Sequence, residues 1–310
     1  MEGTREWLRR NELPGNDSPD LPASGLRFPD GGQYRVEIPS VEGPRVLEAV
    51  LTEADARRVR VHRVSQGSGV LLLTDDELEE MAALGAARGV EVSLFARPTA
   101  GWDVGGMVRA AAGGVLAGQA RGADGLVHCL EDIRRAAAAG IRSVLVSDLG
   151  VLSTAARMRT AGELPPTLQF KVSVLMGLAN PASIRVAADL GADTYNIPTD
   201  LSLAQIAAIR QAVDIPLDVY VEAPDDLGGF VRHYEIPELV RVAAPVYLKF
   251  GLSNAPSIYP SGDHLLPLAV TLARERVRRA QLGIDLLRRH APDVVASPLP
   301  TRSLAVPTPA

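Results

Sequence analysis

A (β/α)8 TIM barrel of eight parallel strands is the fold this sequence predicts. Eight short strand-like runs recur between residues 34 and 250, and each is followed by a helix-like segment. Short strands alternating with helices of about ten to fifteen residues imply parallel pairing through right-handed crossovers. No Gly-x-Gly-x-x-Gly turn follows the first strand, which weakens the alternative, an open dinucleotide-binding sheet.

The first strand is YRVEIPS (34–40), followed by helical PRVLEAVLTEADARR, and the second is VRVHRVSQ (59–66). The next helix opens with Thr74 as N-cap and Glu77 three residues on, the spacing of a capping box. The third strand is VEVSLFARP (90–98), then a Gly-rich connection from Gly101 to Gly122 whose small residues suit either a lid or a plain linker. RSVLVSD (142–148), LQFKVSVLM (168–176) and DTYNIPT (193–199) follow, each with a helix after it. PLDVYVEA (216–223) and PVYLKFG (245–251) complete the set, and a long helix begins at LLPLAV. The expected organisation is a flexible N-terminal arm (1–32), a barrel domain (33–292) and a disordered, proline-rich C-terminal tail (293–310).

Composition narrows the function classes. Hydrophobic residues make up 46% of the 310 and charged residues 22%, a globular balance. A net charge of −5 argues against nucleic acid and anionic membrane surfaces as partners. No apolar run reaches the roughly 18 residues of a membrane span, and the N-terminus lacks the apolar core of a signal peptide. The single cysteine, Cys129, leaves no internal disulfide and no four-cysteine iron–sulfur or zinc site. A cytoplasmic protein with a small-molecule substrate is expected, with homo-oligomer formation open.

In a barrel, chemistry gathers where strands end and βα loops begin. Those ends are polar here: Glu37; His62, Arg63, Ser65 and Gln66; Arg97 with Trp102 beyond it; Ser147 and Asp148; Lys171 and Ser173; Asn196; Asp218, Tyr220 and Glu222; and Lys249. Lysine occurs only at positions 171 and 249 among 32 basic residues of the Lys and Arg types. Period-two alternation puts Lys171 with Ser173, Lys249 with Tyr247, and Asp218 with Tyr220 and Glu222. The apolar residues between them should face the helices, so both lysines should point inward, towards carboxylates.

Buried ion pairs are weak stabilisers, and lysine, unlike arginine, can act as base or Schiff-base nucleophile when its pKa is lowered. Lys249, Lys171, Glu222 and Asp218 are therefore the candidate catalytic set, against a purely structural role as ion pairs. His62, Arg63, Gln66, Arg97, Asn196, Tyr220, Asn254 and Tyr259 are the candidate substrate contacts; the last two lie in a long, polar loop after strand eight. His233 and His264 sit in or beside the loops after strands seven and eight. Glu37, Asp148 and Glu222 could instead hold a divalent metal (Mg, Mn or Zn), although no local motif such as His-Glu-x-x-His supports it.

Several segments carry a family resemblance. TDLSLAQIAAIRQAVDIPLDVYVEAP (199–224), YLKFG, VEIPSVEGPRVLEAVLTEA (36–54) and LGADTYNIPTDLS resemble segments of the peptidase U32 family, the collagenase-like proteases. The resemblance runs from Tyr34 to about Gly262. It implies a barrel and a hydrolytic mouth in which Lys249 matches the family's lysine and Asp218 its strand glutamate. Glu222 stands where the family has histidine. The family's arginine and glutamate after the lysine are absent, as is its cysteine-rich signature, so the iron–sulfur members are poor models. The resulting expectation is a U32 peptidase-like hydrolase acting on a small polar or anionic substrate. The alternatives are a metal-dependent lyase or isomerase of a hydroxy acid or sugar acid, and a non-catalytic ligand-binding barrel.

Overall fold

A computed structural model describes residues 1–11, 20–99, 102, 106–110, 114–301 and 303–309. Eight parallel strands close into a barrel in sequence order: β1 (Tyr34–Pro39), β2 (Arg63–Ser65), β3 (Glu91–Phe95), β4 (Ser143–Val146), β5 (Gln169–Val172), β6 (Thr194–Asn196), β7 (Leu217–Glu222) and β8 (Val246–Phe250). The ring shuts where Glu37 of β1 pairs with Lys249 of β8. This is the predicted (β/α)8 fold.

Among the described residues, a short N-terminal helix, α1 (Glu2–Arg10), precedes the barrel, and eight helices cover it: α2 (Pro44–Arg57), α3 (Asp75–Arg88), α4 (Gly122–Ala138), α5 (Leu149–Thr160), α6 (Pro181–Asp189), α7 (Leu203–Arg210), α8 (Ile236–Ala243) and α9 (Leu266–His290). The local sequence explains several starts. Thr74 and Glu77 form the expected capping box on α3, and Ser202 with Gln205 forms another on α7. The outward strand residues Ile38, Val64, Val92, Val144, Phe170, Tyr195, Val219 and Leu248 are buried against this helical layer.

Of the two segments read as loose arms, residues 20–32, 293–301 and 303–309 are laid against the N-terminal end of the barrel. Phe28 meets the Tyr247 ring edge-on at a centroid distance of 5.3 Å and packs with Leu304 beneath the lumen. Ala296 bridges to Tyr34 of β1, and the Ser297 N–H donates to the Tyr34 carbonyl at 3.1 Å. Asp30 then ties the two arms together. It accepts from Arg35 at 2.8 Å, and from Ser297 and Thr301 at 2.9 Å each. The prolines that rule out a helix in the tail do not prevent this extended packing, and Leu304 and Ala305 supply the apolar bulk. Residues 2–10, also placed in the loose arm, form α1, where Glu, Arg and Leu outnumber the weaker helix formers Gly3 and Thr4 and no proline intervenes.

Between β3 and α4, residues 106–109 and 114–118 form 3-10 turns, the second resting on Leu175 beside the barrel mouth. The lid reading of this connection also rests on 100–101, 103–105 and 111–113, which lie outside the described residues. Among the described residues, no helix is long and apolar enough to cross a membrane.

Candidate active site

The lumen is built from alternate strand residues. Glu37, Arg63, Glu91, Lys171, Asp218 and Lys249 point inward from six different strands and are all buried. They form one connected array. Lys171 Nζ contacts a Glu37 oxygen and lies 2.7 Å from Asp218. Arg63 reaches Glu91 at 2.7 Å, Asp218 at 3.1 Å and Glu37 at 3.3 Å. Lys249 reaches Glu37 at 3.1 Å. Three cations and three carboxylates therefore balance, as a dry interior demands.

Glu37 is the hub. Burial opposes its charge, but Lys171, Lys249 and Arg63 outweigh that and hold it well below the usual carboxylate range. Burial also pulls Lys171 down to about 8, against the opposing pull of Asp218 and Glu37. The array continues towards the floor through Tyr247, whose ring lies under the Arg63 guanidinium at 3.5 Å.

Above the array, at the C-terminal ends of the strands, lies a cavity of about 260 Å³. Lys249, Gln66, Arg97, Asn196, Tyr220 and Tyr259 line it, together with Trp102 and the serines Ser40, Ser65 and Ser173. Lys249 thus belongs to both the array and the cavity, with its Nζ 4.5 Å from the Tyr220 ring centroid. Arg97 donates to the Gly67 carbonyl at 2.7 Å and stacks near Trp102 at 4.6 Å. The Asn196 Oδ1 is buried with no hydrogen-bond partner among the described residues, so an acceptor stands ready at the wall. The Gln66 amide is held by Gly69 on both its ends, which fixes its orientation.

Several expected site residues lie elsewhere. Glu222 does not join the lysines. A register shift after Tyr220 sets Glu222 opposite Phe250, an outward position of β8. Its carboxylate accepts from the Ser253 N–H and hydroxyl at 3.0 and 2.9 Å, and lies 3.3 Å from His233 and 3.4 Å from Arg279. Strict alternation fails there because a bulge adds one residue to the strand. His62 also leaves the mouth: Nδ1 accepts from the Val36 N–H at 3.0 Å and Nε2 lies 3.0 Å from the Ser297 carbonyl. Burial pushes its pKa down to about 3, as befits a neutral structural imidazole.

Asp148 caps α5, accepting from the Val151 N–H at 2.9 Å, and its other oxygen accepts from Ala120 N–H at 3.1 Å. Asn254 is exposed in a left-handed turn (φ 52°) and is absent from the cavity wall. Arg63 lies beneath the cavity within the array rather than on its wall. The expected metal set is not assembled, since Glu37 is ringed by cations, Asp148 is a cap and Glu222 faces the helices. Among the described residues, no three His, Cys, Asp or Glu side chains are grouped to hold an ion. Conversely, Glu91 was missed, though it shares a face with Ser93 in the third strand and pairs with Arg63.

The fold and site define a class: a parallel barrel with a charge-balanced lumen and a polar cavity at the C-terminal ends of its strands. Within it, residues 122–223 match the model of peptidase family U32, so the resemblance to that family is borne out over this third of the chain. No curated protein matches the chain in sequence. Among solved structures, a U32 peptidase is similar at 18% identity and TM-score 0.41, covering 66% of this chain and 73% of its own. A protein from Burkholderia cenocepacia described as a lyase/mutase is similar at 18% identity and TM-score 0.45, covering 88% of this chain and 87% of its own. Oxaloacetate acetylhydrolase, solved with oxalate, is similar at 12% identity and TM-score 0.48, covering 84% of each chain.

Proposed function

We propose that the protein is a U32-like barrel enzyme, a hydrolase whose substrate is small, polar and anionic. The observation that carries this reading is Lys249. It is a lysine at the floor of the mouth cavity, fixed by Glu37 at 3.1 Å and reaching solvent-accessible space that Lys171 does not line. A cation so placed is preorganised to stabilise negative charge developing on a substrate carbonyl, and to exchange a proton with it. Glu37 acts as the positioning residue for Lys249. Lys171 and Arg63 act one step further back, keeping Glu37 ionised, and Asp218 and Glu91 in turn hold those two cations in place.

Arg97 supplies a fixed cation for an anionic group, and the free Asn196 oxygen can accept from an amide or hydroxyl of the substrate. The cavity, about 260 Å³, lies below the ~300–1,000 Å³ of drug-sized sites, which favours a small substrate. The U32 match over 122–223 favours hydrolysis.

The test is an activity screen of small amides, dipeptides and hydroxy or keto acids, with Lys249→Met and Glu37→Gln measured beside the native chain. A hydrolysed substrate that Lys249→Met turns over at least ~100-fold more slowly is the expected result. Native-level turnover by Lys249→Met sinks the assignment. A stoichiometric divalent ion in purified, active protein would shift the reading to metal-assisted lyase or isomerase chemistry.

A further inference from the structure

Arg276 is an arginine in the wrong company. It lies on the inward stripe of α9 with Leu272, Ala273, Val277 and Ala280, all buried. It is 4% exposed, and its Nε and Nη1 are buried without a hydrogen-bond partner among the described residues. Burial draws its pKa down, while Tyr259, Glu42 and Tyr220 pull the other way. Glu42 does not satisfy it: the two Glu42 oxygens accept from the Gly67 and Ser68 N–H groups at 2.9 Å each. A buried guanidinium fork with free donors is costly unless an anion completes it.

The surroundings say where that anion would come from. Arg276 lines a crevice of about 20 Å³, and Ser40, Pro224, Asp226, Ser257 and Tyr259 line both this crevice and the mouth cavity. Tyr259 is the partition between them. Its hydroxyl meets Ser40 Oγ at 2.5 Å, and its ring lies so close to Gly67 that a Cβ there would come within 2.4 Å of it. Ser40 itself adopts a left-handed backbone (φ 61°), a strained state for a non-glycine residue and one that gathers at functional sites. The neighbouring carboxylates do not reach the guanidinium: Asp225 is committed to the Asn254 N–H at 2.9 Å, and Asp226 is exposed at the rim.

We infer that Arg276 is a second anion subsite, opened when Tyr259 swings off Ser40 and merges the crevice with the cavity. The substrate would then carry two anionic groups, one held by Lys249 and Arg97 and the other by Arg276. This deepens the proposed function and rests on it for the first group alone. A planar guanidinium accepts a carboxylate or a phosphate in a bidentate fashion, so both sources of negative charge are tested.

The experiment is calorimetric titration of the full chain with malonate, succinate, glutarate and adipate, with the monocarboxylates of equal length, and with inorganic phosphate. At least one dicarboxylate should bind tenfold or more tightly than its monocarboxylate partner, or phosphate should bind where acetate is weak. Arg276→Met should bring that ratio near one, and Arg276→Lys should restore part of it. Tyr259→Phe, which lacks the Ser40 hydrogen bond, should strengthen the favoured dianion a few-fold. A ratio that Arg276→Met and Arg276→Lys leave unchanged overturns the subsite, as does a native chain with no preference for any dianion. If the Arg276 variants do not fold, no gain with Tyr259→Phe overturns it instead. Monocarboxylate binding that depends on Lys249 would leave the proposed function standing through such a failure; binding insensitive to Lys249→Met would remove that reading instead.

Discussion

The centre of the lumen and its mouth are made of similar residues and solve opposite problems. At the centre, Arg63, Lys171, Glu37, Asp218 and Glu91 each find an opposite charge within 3.3 Å. At the mouth, among the described residues, Asn196 Oδ1 keeps an unmet acceptor, and Arg97 holds a backbone carbonyl and aromatic faces. The comparison teaches that polarity alone does not mark a site. What marks it is polarity left incomplete next to open space, and Lys249 is the residue where the two regimes meet.

The sharpest way to break the centre is Arg63→Met. Glu91 would lose its ion-pair partner while fully buried, and a broken buried pair costs about 3–5 kcal/mol. Urea unfolding measures this; a loss under about 1 kcal/mol would mean the lumen carboxylates are neutral rather than paired. Lys249→Met should behave differently, because Glu37 retains Lys171 and Arg63. It should destabilise the chain less than Arg63→Met while removing at least ~100-fold of activity, equivalent to about 2.7 kcal/mol of transition-state stabilisation. Equal losses of stability in the two variants would erase the distinction between centre and mouth.

Lys171 sharpens the comparison through pH. Its folded pKa is drawn from the ordinary 10.5 to about 8, so between those values the unfolded chain binds the extra proton. Stability should therefore rise with pH from about 8 to 10.5, and Lys171→Met should lack that component in paired unfolding curves. His62 gives the acid counterpart at the floor. With its pKa lowered from 6.5 to about 3, it should contribute stability that is lost as pH falls through that window, and His62→Gln should flatten the loss. The smallest effect belongs to the outer surface: Arg288→Ala, breaking an exposed pair with Asp285, should change stability by less than about 0.5 kcal/mol.

Much of this was legible in the sequence. Period-two alternation correctly turned Lys171, Asp218 and Lys249 inward, since a strand offers each side chain only two faces. It failed at Glu222 because a bulge is a tertiary event that leaves no mark in VYVEA. Lys249 was legible as a lysine in an arginine-rich chain. Arg276 was not singled out, although an arginine in the apolar stripe of a long helix is the same kind of anomaly. His62 looked like a mouth residue until the packing of Ser297 claimed its imidazole, a contact 235 positions away that no local pattern encodes.

The seal at the floor has a bearing on assembly. Ser297 and Leu304 follow every strand in the chain, yet they cover Arg35, His62 and Tyr247 from below. The ring can close before they arrive, but its charged interior then stays hydrated. Water should leave the lumen only when the tail docks, so the full strength of the central ion pairs is a late acquisition in folding. Pulse-labelled hydrogen exchange checks this: the Ser297 and Thr308 amides, which donate to Tyr34 and Gly140, should gain protection after those of β4 and β5, and simultaneous protection would refute a separate docking step.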